Sequence, residues 1–153
     1  MESGFSDGDS FITTNSNIRK ETKVTHPFLK ETILVFNGKV LVDKMKGKGF
    51  YINGNLFYDG KWVDSYPSQS TVELYYPNGK LWYKGGMKKG KKKSFGIEYH
   101  SNGNKKYEGI FKDNELHDKS ALIYSIEGYL EYKGKYVKGE RNGYGEIFYK
   151  NGK

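Results

Sequence analysis

Residues 132–153, YKGKYVKGERNGYGEIFYKNGK, place Tyr and Gly at offsets that recur upstream, and this recurrence decides the fold class. The opening Tyr-x-Gly is found at Tyr58-Asp59-Gly60, Tyr83-Lys84-Gly85, Tyr107-Glu108-Gly109 and Tyr132-Lys133-Gly134, at intervals of 25, 24 and 25 residues. Phe36-Asn37-Gly38 reads as an earlier, shorter copy. A glycine stands four residues before each of these tyrosines, at Gly54, Gly79, Gly103 and Gly128, three of them after Asn and one after Glu. Self-similarity at such a period is the signature of a repeat array.

Alignment of the copies gives three columns. Four residues after the opening aromatic stand Val40, Trp62, Met87, Phe111 and Tyr136. Three further on are Asp43, Ser65, Gly90, Asn114 and Gly139, residue types suited to tight turns. Four before the closing glycine stand Phe50, Tyr75, Tyr99, Tyr124 and Phe148, an aromatic in every copy, which is expected to be a buried packing column. Each copy therefore reads as a strand, a tight turn, a second strand and, in most copies, an Asn-Gly turn into the next. Alternation puts Tyr132, Gly134 and Tyr136 on one face, with Gly134 leaving room for a ring against the backbone.

A lone hairpin is marginal in water, so the copies must bury one another. The expected fold is all-β, a single-layer repeat solenoid of about five consecutive hairpins over residues 31–153, beginning at positions 36, 58, 83, 107 and 132. Residues 1–30 lack the period, are rich in Ser, Thr, Asn and Asp, and read as a flexible N-terminal segment. Residues 30–36, KETILVF, are expected to supply the first strand. The units at Tyr58, with Ser65, Ser70 and Val72, and at Tyr107, with Lys119 and Ala121, lack glycines found elsewhere. Wider or less regular hairpins are expected there.

With these columns in place, the chain resembles the membrane occupation and recognition nexus (MORN) repeat, whose unit opens with Tyr-x-Gly and carries Gly-x-Gly in its second strand. The version YYPNGKLWYKGGMKKGK is similar to the short-turned variant common in bacterial proteins sometimes labelled antitoxin-like. Agreement is best in the last unit, which retains Gly139, Gly143, Gly145 and Gly152. The resemblance implies a curved β-solenoid acting as an interaction platform, as in scaffolds of cilia, cytoskeletal collars and membrane junctions.

Composition agrees with strands and turns. Aromatics make up 16% of residues, with 14 Tyr and 20 Gly against 3 Pro. A mean hydropathy of -0.82 leaves the core to depend on rings. The absence of Cys excludes disulfides, thiolate catalysis and Cys-ligated zinc, and suits a reducing compartment. No run approaches the ~18 apolar residues of a membrane span. Residues 1–18 carry Glu2, Asp7 and Asp9 without Lys or Arg, unlike a secretory or mitochondrial leader. The expected location is intracellular, in cytoplasm or at a cytoskeleton or cilium.

No catalytic, cofactor-binding or metal-ligating residue is assigned. His26, His100 and His117 have no His-x-x-x-His spacing. His117 lies in NELHDK, a loop sequence, and His100 takes the place held elsewhere by Tyr51, Tyr76, Ser125 and Tyr149, a packing substitution. The glycines of residues 47–54, GKGFYING, lack the Gly-Lys-Ser/Thr ending of a phosphate loop and lead into a strand.

Charge is the remaining signal. In residues 83–112 nine lysines stand against Glu98 and Glu108, a net +7 out of the chain's +8. MKKGKKKS is centred on the turn at Gly90, from which the ammonium groups are expected to radiate into solvent. They either keep an aromatic array soluble or contact an anionic partner. An acidic protein surface ranks above lipid, because five lysines at about 1 kcal/mol each give roughly millimolar membrane binding without a second anchor. Nucleic acid is disfavoured, since packing accounts for the rings that would stack on bases.

The reading is a non-enzymatic scaffold or interaction protein without cofactor, contacting partners through Lys88, Lys89, Lys91, Lys92 and Lys93, with Tyr66 and Trp82 as further aromatics. The last hairpin is expected to expose a strand edge and to dock or self-associate through Ile147, Phe148 and Tyr149. Two alternatives stay open: a peripheral membrane or phosphoinositide adaptor, and a bacterial antitoxin-like or effector-associated repeat protein.

Overall fold

The computed structural model describes residues 22–40 and 44–151. Regular structure among them is entirely strand: β1 (Thr22–Thr25), β2 (Ile33–Val40), β3 (Lys44–Tyr51), β4 (Leu56–Val63), β5 (Tyr66–Pro67), β6 (Gln69–Tyr75), β7 (Leu81–Lys88), β8 (Lys91–Tyr99), β9 (Lys105–Lys112), β10 (Glu115–Leu116), β11 (Asp118–Tyr124), β12 (Leu130–Val137) and β13 (Glu140–Ile147). The all-β expectation is met. Ladders are antiparallel and follow chain order, with β1 to β5 in one sheet and β6-β7-β8-β9-β11-β12-β13 in the other, where β10 pairs with β9. One of the two sheets curls into a half-barrel.

The repeated tyrosine explains its own spacing. Tyr83 is fully buried, and its ring lies across Gly85 of its own strand and Gly96 of β8. A methyl carbon added at Gly96 would meet the Tyr83 hydroxyl at 2.5 Å, so no side chain fits there without moving the ring. The hydroxyl donates to the Gly86 carbonyl at 2.8 Å. Tyr58 repeats the device over Gly60, donating to the Lys61 carbonyl at 2.9 Å, and Tyr132 repeats it over Gly134 and Gly145. Tyr-x-Gly thus buries a phenol and satisfies its hydroxyl three residues on, which a buried donor requires. Tyr107 departs: Gly109 is covered by Leu116 and Asp118 instead, and the Tyr107 ring is half-buried.

Two turn types alternate along the chain. At one end of the hairpins the central pairs are Asp64-Ser65, Lys89-Gly90, Asp113-Asn114 and Lys138-Gly139, all at positive φ, as two-residue type I′ turns require. At the other end the Asn-Gly pair is not the centre of such a turn. The Gly79 N–H donates to the Tyr76 carbonyl at 2.9 Å, and Tyr76 N–H donates to the Lys80 carbonyl at 2.9 Å. Gly79 (φ 89) therefore takes the bulge position after a type I turn, and the ladder shifts register between Leu74 and Tyr75. The expected turn at Asp43 and the closing Gly152 lie outside the described residues.

Side chains tie successive closing turns together. Asn53 and Asn78 donate to the carbonyls of Pro77 and Ser101 at 2.9 and 2.8 Å, and Asn102 donates to that of Ile126 at 2.7 Å. Where Glu127 replaces Asn, Lys150 reaches back to its carboxylate at 2.8 Å. A second row runs beside it. The hydroxyl of Tyr51 donates to the Tyr75 carbonyl at 2.7 Å, that of Tyr76 donates to the Tyr99 carbonyl, and His100 Nε2 meets the Tyr124 carbonyl at 3.3 Å. His100 thus makes the contact of the tyrosines whose place it takes.

The structure carries a longer period than the sequence spacing suggests. Ser68 N–H donates to the Lys61 carbonyl and Gly90 N–H to that of Pro67; 49 residues later, His117 N–H donates to the Ile110 carbonyl and Gly139 N–H to that of Leu116. In both places the hairpin splits. β4 pairs with β5 for two residues before the chain passes to the other sheet, and β9 pairs with β10 and with β11 for two residues each. Side chains stand in for the missing ladder, Gln69 Oε1 accepting from Lys61 N–H at 3.1 Å and Asp118 Oδ2 from Ile110 N–H at 2.7 Å. These are the Tyr58 and Tyr107 units, as their missing glycines foretold.

Two expectations are corrected. Residues 1–21 lie outside the described residues, but Thr22 to Lys30 is not a loose segment, because β1 pairs with β2 and Val24 and His26 are buried. His26 is among the rings of Phe28, Tyr51, Phe57 and Trp82. Its Nδ1 accepts from Phe28 and Leu29 N–H, both at 2.9 Å, and Nε2 lies 3.2 Å from the Tyr51 hydroxyl. Second, Phe50, Tyr75, Tyr99, Tyr124 and Phe148 are half-buried, not core. The hydroxyls of Tyr75 and Tyr124 reach Glu73 and Glu108, which also pair with lysines. The core is instead built from Leu34, Phe36, Tyr58, Trp62, Tyr83, Met87, Phe111, Ala121 and Tyr132.

Candidate interaction surface

The lysine-rich hairpin of β7 and β8 does not present its charges uniformly. Lys88 and Lys91 face each other across the ladder and are exposed, as is Lys93. Lys89 is exposed and lies 3.5 Å from Asp64 of the neighbouring turn, a surface pair of little energetic weight. Lys92 turns inward, a correction to the reading of five ammonium groups in solvent. Its Nζ lies 3.0 Å from Glu98, 5.7 Å from the Tyr83 ring centroid and 5.6 Å from that of Phe111.

Glu98 is the residue that sequence reading missed. Cross-strand register places Leu74, Tyr83, Glu98 and Tyr107 in one row of the sheet. Its counterparts in the other hairpins are Gly49, Leu74, Ile123 and Ile147, so a carboxylate occupies a place otherwise apolar. Its side chain is only 13% exposed. Burial, with the Glu98 charge adding, pushes the Tyr76 phenol up to about 12 and raises those of Tyr83 and Tyr107. Lys92 is thus the counter-ion of a half-buried acid, and the surrounding phenols stay protonated. The apolar column held the signal that could have identified Glu98.

The aromatic candidates divide. Trp82 stacks on Tyr76 at 4.8 Å and 11° and on His26 at 5.9 Å, so it is packing. Tyr66 lies against the Gly90 turn, where an added carbon would meet its ring, and acts as a spacer between neighbouring turns. In the last hairpin Ile147 and Tyr149 are 57% and 64% exposed, while Phe148 is half-buried with its N–H donating to the Glu131 carbonyl at 2.8 Å. β13 is exposed throughout, and Tyr144 is 98% exposed.

Among the described residues no cluster of His, Asp and Glu could hold a metal ion, and no helix is long and apolar enough to cross a membrane. His117 is half-buried and borders a depression of about 410 Å³ with Ile110, Asp118, Lys119, Lys135, Tyr136 and Val137. No protein-family model matches the chain, and no curated protein matches its sequence.

Proposed function

We propose that the chain is a non-enzymatic interaction scaffold, a MORN-like stack of β-hairpins whose basic outer surface engages an acidic protein partner. The observation that carries the stacking is the recurrence of one contact set between successive turns, with Asn53, Asn78 and Asn102 each bonded to the next turn's backbone. Such contacts make each hairpin depend on its neighbours, as in repeat proteins that serve as extended binding surfaces. The polar groups inside support the same reading. Glu98 is neutralised by Lys92, and His26 is saturated by backbone and Tyr51, so these groups are occupied in holding the fold. Placement in a ciliary or cytoskeletal assembly rests on the family resemblance.

The test separates contact lysines from the structural one. Lys88, Lys91 and Lys93 changed together to Gln should leave stability within about 0.5 kcal/mol, while reducing partner recovery in a native pull-down and flattening its salt dependence. Lys92→Gln should do the reverse, costing about 2 kcal/mol because Glu98 loses its counter-ion in a partly dry site, with recovery unchanged. Equal recovery of all partners by the triple variant at low salt would overturn the reading.

A further inference from the structure

We propose that the outer face of β8 and β9, with the depression beside Ile110, docks an acidic peptide segment bearing one bulky apolar side chain; this rests on the scaffold reading and gives its partner a chemistry. Phe95 and Ile110 are directly opposed in the ladder, so their side chains share a face. They are 52% and 41% exposed. The fold does not require them there. The position of Ile110 is held 49 residues earlier by the exposed Lys61, and that of Phe95 is held 49 residues later by Tyr144, in open solvent.

Toward the β7–β8 turn the charge beside this pair is basic, while on the other side Glu108, two residues from Ile110, is paired with Lys105. Lys93 and Lys112 lie two residues along the same strands, with Lys91 and Lys88 beyond, and all four are exposed. Among the described residues none of the four is in an ion pair, unlike Lys84, Lys89, Lys92, Lys105 and Lys150. Exposed apolar side chains flanked on the turn side by unpaired cations suit an anionic, partly apolar ligand.

The neighbouring depression selects between kinds of ligand. It opens where the β9–β11 ladder falls to two residue pairs, and Ile110, Tyr136 and Val137 supply its apolar surface beside Lys119 and Lys135. Its carboxylate, Asp118, is directed onto the N–H groups of Ile110 and Ser120 at 2.7 and 2.8 Å. A side chain can fill such a hollow. A lipid surface would touch Phe95 and the lysines and leave it empty, so a peptide is the better match.

The test measures anisotropy of a short fluorescein-labelled glutamate-rich peptide with a central Trp, beside the same peptide with Ala, and flotation with phosphatidylserine vesicles. The Trp peptide should bind about tenfold tighter than the Ala peptide, the effect of one anchoring ring. Changing Lys91, Lys93 and Lys112 to Gln should weaken both peptides alike. Ile110→Ser should remove only the Trp advantage, and because Ile110 is partly exposed its thermal midpoint should hold. Salt-sensitive binding that is equal for the two peptides would overturn docking at the depression while sparing the scaffold reading. Failure of both peptides to bind at low salt would overturn both. Vesicle binding tighter than that of the Trp peptide would overturn the peptide assignment in favour of a lipid surface.

Discussion

Tyr83→Ala is expected to lower stability by about 4 kcal/mol, within the range for truncating a buried aromatic. The ring is fully buried, spans glycines on two strands, touches Phe111 at 5.9 Å and underlies the Lys92 ammonium. Its removal opens a cavity and unseats the Lys92–Glu98 pair together. Attack from the other side should resemble it: Gly96→Ala drives a methyl into the phenol and should cost about 2 to 3 kcal/mol, the scale of core overpacking. Tyr99 is also aromatic in the repeat but half-buried, so Tyr99→Ala should cost only about 1 kcal/mol. Urea unfolding with unchanged slope measures all three. Equal losses for Tyr83→Ala and Tyr99→Ala would show that the two tyrosine columns share the core, contrary to their burial.

Acid should loosen the first hairpin against the rest through His26. Burial lowers its pKa from 6.5 to about 4, and Nδ1 can accept from Phe28 and Leu29 N–H only while unprotonated. The folded-state value lies below the unfolded one, so the contribution is fully present above pH 6.5, falls as pH drops towards 4, and changes no further below that. The loss over this window should be up to about 3 kcal/mol. His26→Phe keeps a ring among Phe57, Tyr51 and Trp82 but cannot titrate. Stability measured from pH 7 to pH 4 should therefore fall more steeply for the native chain than for His26→Phe, other carboxylates contributing alike to both. Parallel curves would mean that His26 is open to water.

Spacing made the hairpins legible before any coordinates, because Tyr-x-Gly is a local device: ring, glycine and hydroxyl acceptor lie within four consecutive residues. What spacing concealed was which face each column takes. Each of the four closing turns among the described residues inserts a bulge residue, and one inserted residue reverses the alternation beyond it. The column of Phe50, Tyr75, Tyr99, Tyr124 and Phe148 therefore ends half-buried on the polar side. Lys92 was hidden differently: it shares the inward face of Gly96 and Glu98 by plain alternation, but the lysine run around it reads as a uniformly solvated turn. β1 was missed because its four residues carry no period, and His26 just beyond it is packed against Tyr51, Phe57 and Trp82, 25 or more positions away. The basic patch was visible as composition. Its division into outward lysines and one inward lysine required the ladder.

The most direct test of a stack of exchangeable hairpin pairs is removal of one pair. Deleting residues 83–131, one 49-residue period, joins Trp82 to Tyr132 and leaves each remaining strand a neighbour equivalent to the one it lost. Interchangeable pairs predict a shorter chain that still folds, keeps a strand-type circular dichroism spectrum and unfolds cooperatively in urea with a slope reduced by about a third, since slope follows the surface exposed. A closed domain with a single core could not lose that segment. An unfolded or aggregated product would contradict the hairpin stack on which the scaffold reading stands.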